Sequence, residues 1–475
     1  MQKKPSSGQL AKMAEQKASR ESLLTLQDPR HSSTAIIAVP RSSTCTHPTR
    51  HDSVSEVQQA DWIRYGGVQL EQPLAEGWWA LVDAHWLIEE SRQEGALLRP
   101  RQQLPPEAFI SLGELKTFGY PREAIPLIAV SYPWLSKEHP DPNGDNLRLL
   151  GKVLEAYVDQ PCARGATRSH LGSKRWTADD FSRADLTMDG LDDETVGGQR
   201  WAVFIDYLSL HQRYSVTEGR GKVVLMDRDA REDALFKKAL TKLSVLYSHP
   251  FTRVFRLTEL PPHRYRHLGS SDMPAEAQAA RMSIRPYDKR GWCFAETSWA
   301  LLTKSGRKCI DLGKFTGKKT HWLDIVTECI ADLARPPPLL PEAFEEELSK
   351  REFTTGKEDH DLCFKLYQEE FYDRFNGANG LVYHNLGWRD EELAALLEVL
   401  PHCNSLTSLN LNGNEFRDLS ALTRKLEDPG FLPKLAKLEI GDGLKQSISA
   451  SSVDALQHLC DRRSITLLCK EVQKL

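Results

Sequence analysis

One spacing near the carboxyl end does most to limit what this chain can fold into. Leu406, Leu409, Leu411 and Asn414 fit the pattern L-x-x-L-x-L-x-x-N, and Leu435, Leu438 and Ile440 repeat it 29 residues later. Leu381, Tyr383 and Leu386 match more loosely, 25 residues before Leu406. Between these segments, Glu391–Leu400 and Leu419–Leu426 carry helical periodicity. A strand plus a helix at this period cannot bury its own apolar side, whereas stacked copies can. The leucines are therefore expected to fill a shared core, and the asparagine to bond backbone groups at the turn.

That arrangement is the leucine-rich repeat, here with about three units, near the minimum that can share a core. The alternative is an ordinary α/β tail whose leucines are spaced by chance. The repeat is read as the partner-binding part of the chain, over residues 379–475.

Upstream, three apolar runs alternate with helical patterns. The first is Pro126–Tyr132, through Leu127, Ile128, Ala129 and Val130; the second is Trp201–Asp206; the third is Thr252–Leu257. Continuous apolar runs of this length are expected of strands buried on both faces. Leu147, Leu150, Val153, Leu154 and Tyr157 mark one helix, and Glu232–Tyr247 and Tyr287–Lys304 two more. Strand alternating with helix predicts an α/β domain with a parallel sheet covered on both faces. A further short helical stretch is expected over Ala108–Leu115. The domain is read over residues 61–335, with polar insertions at 161–199 and 261–284. Pro336, Pro337 and Pro338 end it, and charged helices at Pro341–Arg351 and His360–Phe375 make a helical linker over 336–378. Residues 1–60, rich in Ser, Thr, Gln and Arg, read as disordered, with a transient helix near Leu10–Leu26.

Composition excludes some classes. The chain has 62 basic and 66 acidic residues, a net charge of −4, so no basic excess points to nucleic acid or an anionic membrane. Nine cysteines contain no C-x-x-C pair, which suits reduced thiols and offers no zinc site. No run has the length of a membrane span, and Met1, Gln2, Lys3 and Lys4 do not begin a signal peptide. A cytoplasmic protein is expected.

In an open parallel sheet, ligands bind beyond the carboxyl ends of the strands. Three polar clusters fall there: Ser131, Tyr132 and Trp134, with His139 and Asp141; Asp206, Tyr207, His211 and Gln212; and Arg290, Trp292 and Glu296. Each has a plain structural alternative. Asp206 can cap the next turn, Trp134 and Trp292 can be packing residues, and His139 can brace its Pro-rich loop. Glu296 falls in what is expected to be the first turn of a helix, where the dipole alone favours a carboxylate. Cys293 reads as a buried structural thiol. Gly313, Gly317 and Lys318 have the wrong spacing for a phosphate-binding loop, and neither G-x-S-x-G nor H-E-x-x-H occurs. His263 and His267 lack a third metal ligand nearby.

These same residues resemble the fungal heterokaryon-incompatibility (HET) domain. That family's pattern runs S-Y-x-W, then W-x-D with a C-I-x-Q element, then a helix ending in Tyr, then R-x-W-x-x-Q-E. Ser131, Tyr132 and Trp134 match the first block; Asp206 and Gln212 match the second, with Leu208–Leu210 in place of its Cys-Ile. Tyr247 falls at the helix end, and Arg290, Trp292 and Glu296 match the last block, with Ala295 in place of Gln. The HET domain is itself similar to the TIR fold, and Trp292, Cys293 and Glu296 also resemble the W-C-x-x-E of plant TIR domains. The resemblance covers residues 125–305.

The resemblance implies a TIR-like, flavodoxin-like parallel-sheet domain. In TIR enzymes the matching Glu is the catalytic residue of NAD glycohydrolases, which would give Glu296 the role of stabilising positive charge as the glycosidic bond breaks. It would place Tyr132, Trp134, Asp206 and Trp292 around the bound molecule and let Arg290 meet a phosphate. NAD would be a substrate, with no cofactor and no metal. Many members of both families act as assembly modules without turnover. Two functions are therefore expected of a signalling or defence-type protein: an effector domain cleaving NAD at Glu296, or a non-catalytic scaffold that self-associates.

Overall fold

A computed structural model of the protein describes residues 54–118, 125–136, 139–158, 200–218, 222–260, 285–304, 308–330, 335–353, 356–384, 386–441 and 448–470. The expected Leu10–Leu26 helix, the two insertions and the pair His263 and His267 lie outside them. The described chain enters helix earlier than residue 61: Glu56–Arg64 is helical, and Ser55 and Gln58 cap each other's backbone N–H groups.

Among the described residues eight strands precede the C-terminal part: Leu81–Asp83 (β1), Phe109–Ile110 (β2), Leu127–Ser131 (β3), Ala202–Phe204 (β4), Tyr214–Glu218 (β5), Lys222–Met226 (β6), Arg253–Arg256 (β7) and Cys309–Asp311 (β8). Six of them form one sheet in the order β2-β1-β4-β3-β7-β8, while β5 and β6 make a separate antiparallel hairpin. Strands β4, β3, β7 and β8 run parallel; β1 joins β4 and β2 antiparallel. The winding reverses between β3 and β7, the kind of switch point beside which α/β sheets hold ligands.

The alternation along β3 explains its unbroken apolar run. Leu127 and Ala129 enter one hydrophobic cluster, Ile128 and Val130 the other, on the opposite face. Helix Asp145–Val158 covers the second face and buries Leu147, Leu150, Val153, Leu154 and Tyr157 as its periodicity predicts. Helix Gly291–Thr303 covers the first. The helix expected over Glu232–Tyr247 is two pieces, Ala230–Leu240 and Leu243–Ser248. Lys242, with φ −127° and ψ 10°, leaves the helical path between them, and every residue of the second piece is buried. The stretch expected to be helical at Ala108–Leu115 is a 3-10 turn, then β2, then helix Leu112–Phe118.

The C-terminal part forms a second sheet of Gly380–Val382 (β9), Ser408–Asn410 (β10), Lys437–Gly441 (β11) and Thr466–Lys470 (β12), parallel throughout and in sequence order. Leu409 pairs with Leu438, and Leu438 with Leu467. The first register differs from expectation: Leu381 pairs with Leu409, not with the level of Leu406, which moves the match by three residues. Leu386 then falls at the turn, where its N–H donates to Asn414 Oδ1 at 3.0 Å. Asn414 is fully buried and also accepts from Trp388 N while its amide donates to the Tyr383 and Leu411 carbonyls.

Helices Pro341–Ser349 and Lys357–Asn376 lie between the sheets and share their core. Phe344 stacks on Tyr367 with ring centroids 3.8 Å apart, and Trp388 Nε1 donates to the Arg335 carbonyl at 2.7 Å. The first face of the large sheet and the leucines of the small one thus belong to one hydrophobic cluster.

Candidate functional site

The carboxyl ends of three neighbouring strands set the site. Ser131 of β3 is level with Arg256 of β7, which is level with Asp311 of β8. By the two-residue period of a strand, these side chains share the face of Leu127, Ala129 and Val254, over which helix Gly291–Thr303 packs. A 3-10 turn, Tyr287–Lys289, leads into that helix.

Glu296 stands one full turn inside the helix, which begins at Gly291. The helix N-terminus therefore does not account for it, contrary to the first-turn placement expected from sequence. Glu296 is 9 % exposed, and its carboxyl accepts a hydrogen bond from Ser131 Oγ. Ser131 Oγ also meets Tyr287 Oη at 2.6 Å, and Tyr287 Oη meets Thr297 Oγ1 at 2.9 Å. Burial drives the Glu296 pKa up to about 8; the negative charge of Asp206 adds to this, and hydrogen bonds from Ser131 and Tyr247 oppose it. The carboxyl is thus largely protonated at neutral pH.

A cleft of ≈ 510 Å³ opens beside this network, walled by Arg256, Thr258, Tyr287, Phe294, Thr297 and Asp311. Glu296 is not among the lining residues: Tyr287 and Thr297 stand at the wall, and Ser131 connects Tyr287 to Glu296.

Tyr132, Trp134 and Asp206 gather on the opposite side of β3, while Trp292 packs with the first face. Tyr132 turns to the second face and its Oη donates to Asp206 Oδ1 at 2.6 Å. Trp134 Nε1 donates to Asp206 Oδ2 at 2.8 Å, and Tyr207 N donates to Oδ1 at 2.6 Å. Burial raises the Asp206 pKa, while these three donors pull it down. Asp206 opens a short helix, Asp206–Ser209, directly after β4. Gln212 Nε2 closes the turn on the Asp206 carbonyl at 2.9 Å. This explains a Gln at that position without a ligand.

Arg290 is turned onto the backbone: Nη1 donates to the Trp134 carbonyl at 2.8 Å and Nε to the Arg285 carbonyl at 3.0 Å. Trp292 Nε1 donates to Asp359 Oδ2 at 2.9 Å, and its ring meets Phe353 edge-on. His139 accepts from Asp141 N at Nδ1 and meets the Leu98 carbonyl at Nε2, so it braces its loop. Burial pushes the Cys293 thiol well above its ordinary pKa, which leaves no reactive thiolate. The candidates therefore fall into two groups back to back across the end of β3: Tyr132, Trp134, Asp206 and Arg290 on one side, Ser131, Tyr287 and Glu296 on the other. None of the six site residues expected from sequence lines the cleft, and Arg256, Tyr287 and Asp311, which do, carry no motif that sequence reasoning could have used. A weak signal existed for Arg256: a charged residue closing an apolar strand.

Among the described residues no cluster of His, Cys, Asp and Glu could hold a metal ion, and no helix is long and apolar enough to cross a membrane. No family model matches this chain, and no curated protein matches it.

Proposed function

We propose that this is a signalling or defence-type protein whose HET/TIR-like α/β domain works by binding and assembly rather than by turnover, and whose leucine-rich-repeat sheet presents the partner-binding face. The observation that carries this is the position of Glu296: its carboxyl is bonded to Ser131 behind the cleft wall and is protonated near neutral pH. A neutral carboxyl cannot stabilise the positive charge that develops as a glycosidic bond breaks. It serves well as a buried hydrogen-bonding group that fixes a helix to a strand end.

The repeat reading is supported by the stacked Leu381, Leu409, Leu438 and Leu467 and by the bonded Asn414. Ser408, Asn410, Lys437 and Glu439 alternate with the buried leucines and stand on the partly open side of the sheet, where a partner can dock. The seven described cysteines are all free thiols, as suits a cytoplasmic setting.

A second reading, hydrolysis of NAD at Glu296, is favoured by one feature. A carboxyl with a pKa near 8, joined through Ser131 and Tyr287 to a cleft, is the kind of perturbed group that marks functional sites. Incubation with NAD separates the two: nicotinamide release that disappears in Glu296→Gln supports the enzyme, and no release from either supports the scaffold.

A further inference from the structure

Arg256 is the charged group of the cleft wall that the fold leaves unexplained. It ends β7 and is only 6 % exposed. Its Nε and Nη2 are buried and have no hydrogen-bond partner. Asp311 Oδ2 lies 3.9 Å from Nη2, beyond hydrogen-bond reach. Asp311 is engaged elsewhere, accepting through Oδ1 from Thr258 Oγ1 and from Gly313 N.

A buried guanidinium without acceptors is costly, and native proteins leave few such groups. Asp311 supplies a countercharge at 3.9 Å, so what the fold leaves open is an acceptor for the Nε and Nη2 hydrogens. Two adjacent unfilled donors fit a planar or tetrahedral oxyanion, which guanidinium groups grip with two parallel bonds. The rest of the wall restricts the ligand further. Glu259, Asp288 and Asp311 line the same cleft, so a bare polyanion would meet repulsion. A ligand that brings hydroxyl donors to those carboxylates would not. Tyr287 and Phe294 add ring surface, and ≈ 510 Å³ falls within the range of small-molecule sites.

We propose that this cleft binds a small sugar-type molecule bearing one phosphate or carboxylate group, with Arg256 gripping the anion and Asp288 and Asp311 accepting from the hydroxyls. The inference stands whether or not Glu296 is catalytic.

The test is calorimetric titration of the full chain with ribose 5-phosphate, ribonate and ribose, in the wild type, Arg256→Gln and Thr297→Phe. The expected result is saturable binding of ribose 5-phosphate or ribonate, whichever anion the site prefers, with ribose at least tenfold weaker. Binding should fall at least tenfold in Arg256→Gln and be lost in Thr297→Phe, whose ring would occupy the cleft. Should Arg256→Gln fail to fold, Thr297→Phe and the ribose comparison carry the decision. The proposal is overturned if neither anion binds the wild type, if ribose binds as tightly as the anions, or if the folded variants bind as the wild type does.

Discussion

Ser131 and Glu296 are hydrogen-bonded partners 165 positions apart in sequence. The bond ties the carboxyl end of β3 to the middle of helix Gly291–Thr303, and Tyr287 joins it from the turn before that helix. Position and protonation of Glu296 are thus parts of one arrangement: the same burial that closes it off keeps its proton on.

This gives stability a defined dependence on pH. The folded-state pKa of Glu296, about 8, lies above its ordinary value of 4.5. Its stabilising contribution is therefore fully present below about pH 4.5 and is lost as pH rises through about 8. Glu296→Gln keeps a neutral hydrogen-bonding group and removes the titration. Between pH 5 and pH 8.5 the wild type should lose stability relative to Glu296→Gln, on the order of a few kcal/mol. Urea unfolding of both proteins at the two pH values measures this; a constant gap between them would show that Glu296 does not hold its proton in the fold.

Asp206 is the acceptor on which Tyr132, Trp134 and the Tyr207 N–H converge. Asp206→Ala should destabilise by about 3 kcal/mol, because it leaves the buried Tyr132 hydroxyl and the half-buried Trp134 N–H without an acceptor. Tyr132→Phe removes one donor and should cost about 1 kcal/mol. The double variant should cost less than the sum, since the two residues share a bond. Denaturant midpoints for the four proteins of this cycle decide it, and strict additivity would mean that the bond contributes nothing.

How much of this was legible beforehand differs by element. The strand-and-helix order was visible because β3, β4 and β7 are buried on both faces and read as apolar runs. Strands β1, β2 and β8 were not visible: β2 and β8 are as short as β4 but lack an apolar run like Trp201–Ile205 around them, and β1 passes directly into a helix at Ala84. The Lys242 break escaped notice because the apolar stripe carries on across it. The strand register around Leu381 differs from the expected one because Tyr383 stands in line with the aliphatic Leu411 and Ile440 and Leu386 offers a false match. The polar residues at the strand ends were identifiable one by one. Their division into two groups was not, since it depends on Ser131 and Tyr132 pointing to opposite faces.

Asn414 offers a test of the proposed repeat. It makes four hydrogen bonds to backbone groups of the two loops that follow β9 and β10 while fully buried. Asn414→Ala should cost about 3 kcal/mol or more by stranding buried N–H and C=O groups. Asn414→Asp should be worse at neutral pH, because a carboxylate would face the Tyr383 and Leu411 carbonyls at the distances of 2.6 Å and 2.9 Å now spanned by the amide. Hydrogen exchange of β9 and β10 amides reports the loosening directly. Unchanged protection in both variants would remove Asn414 from the account.

The central claim, that the α/β domain binds and assembles without turning over NAD, is tested most directly by measuring nicotinamide. Wild type and Glu296→Gln, each free in solution and clustered on a solid support, are incubated with NAD and the products separated by chromatography. The account predicts no nicotinamide above a protein-free control from either protein in either state. Nicotinamide released by the wild type and absent with Glu296→Gln would contradict it, and would place the reacting carboxyl at Glu296.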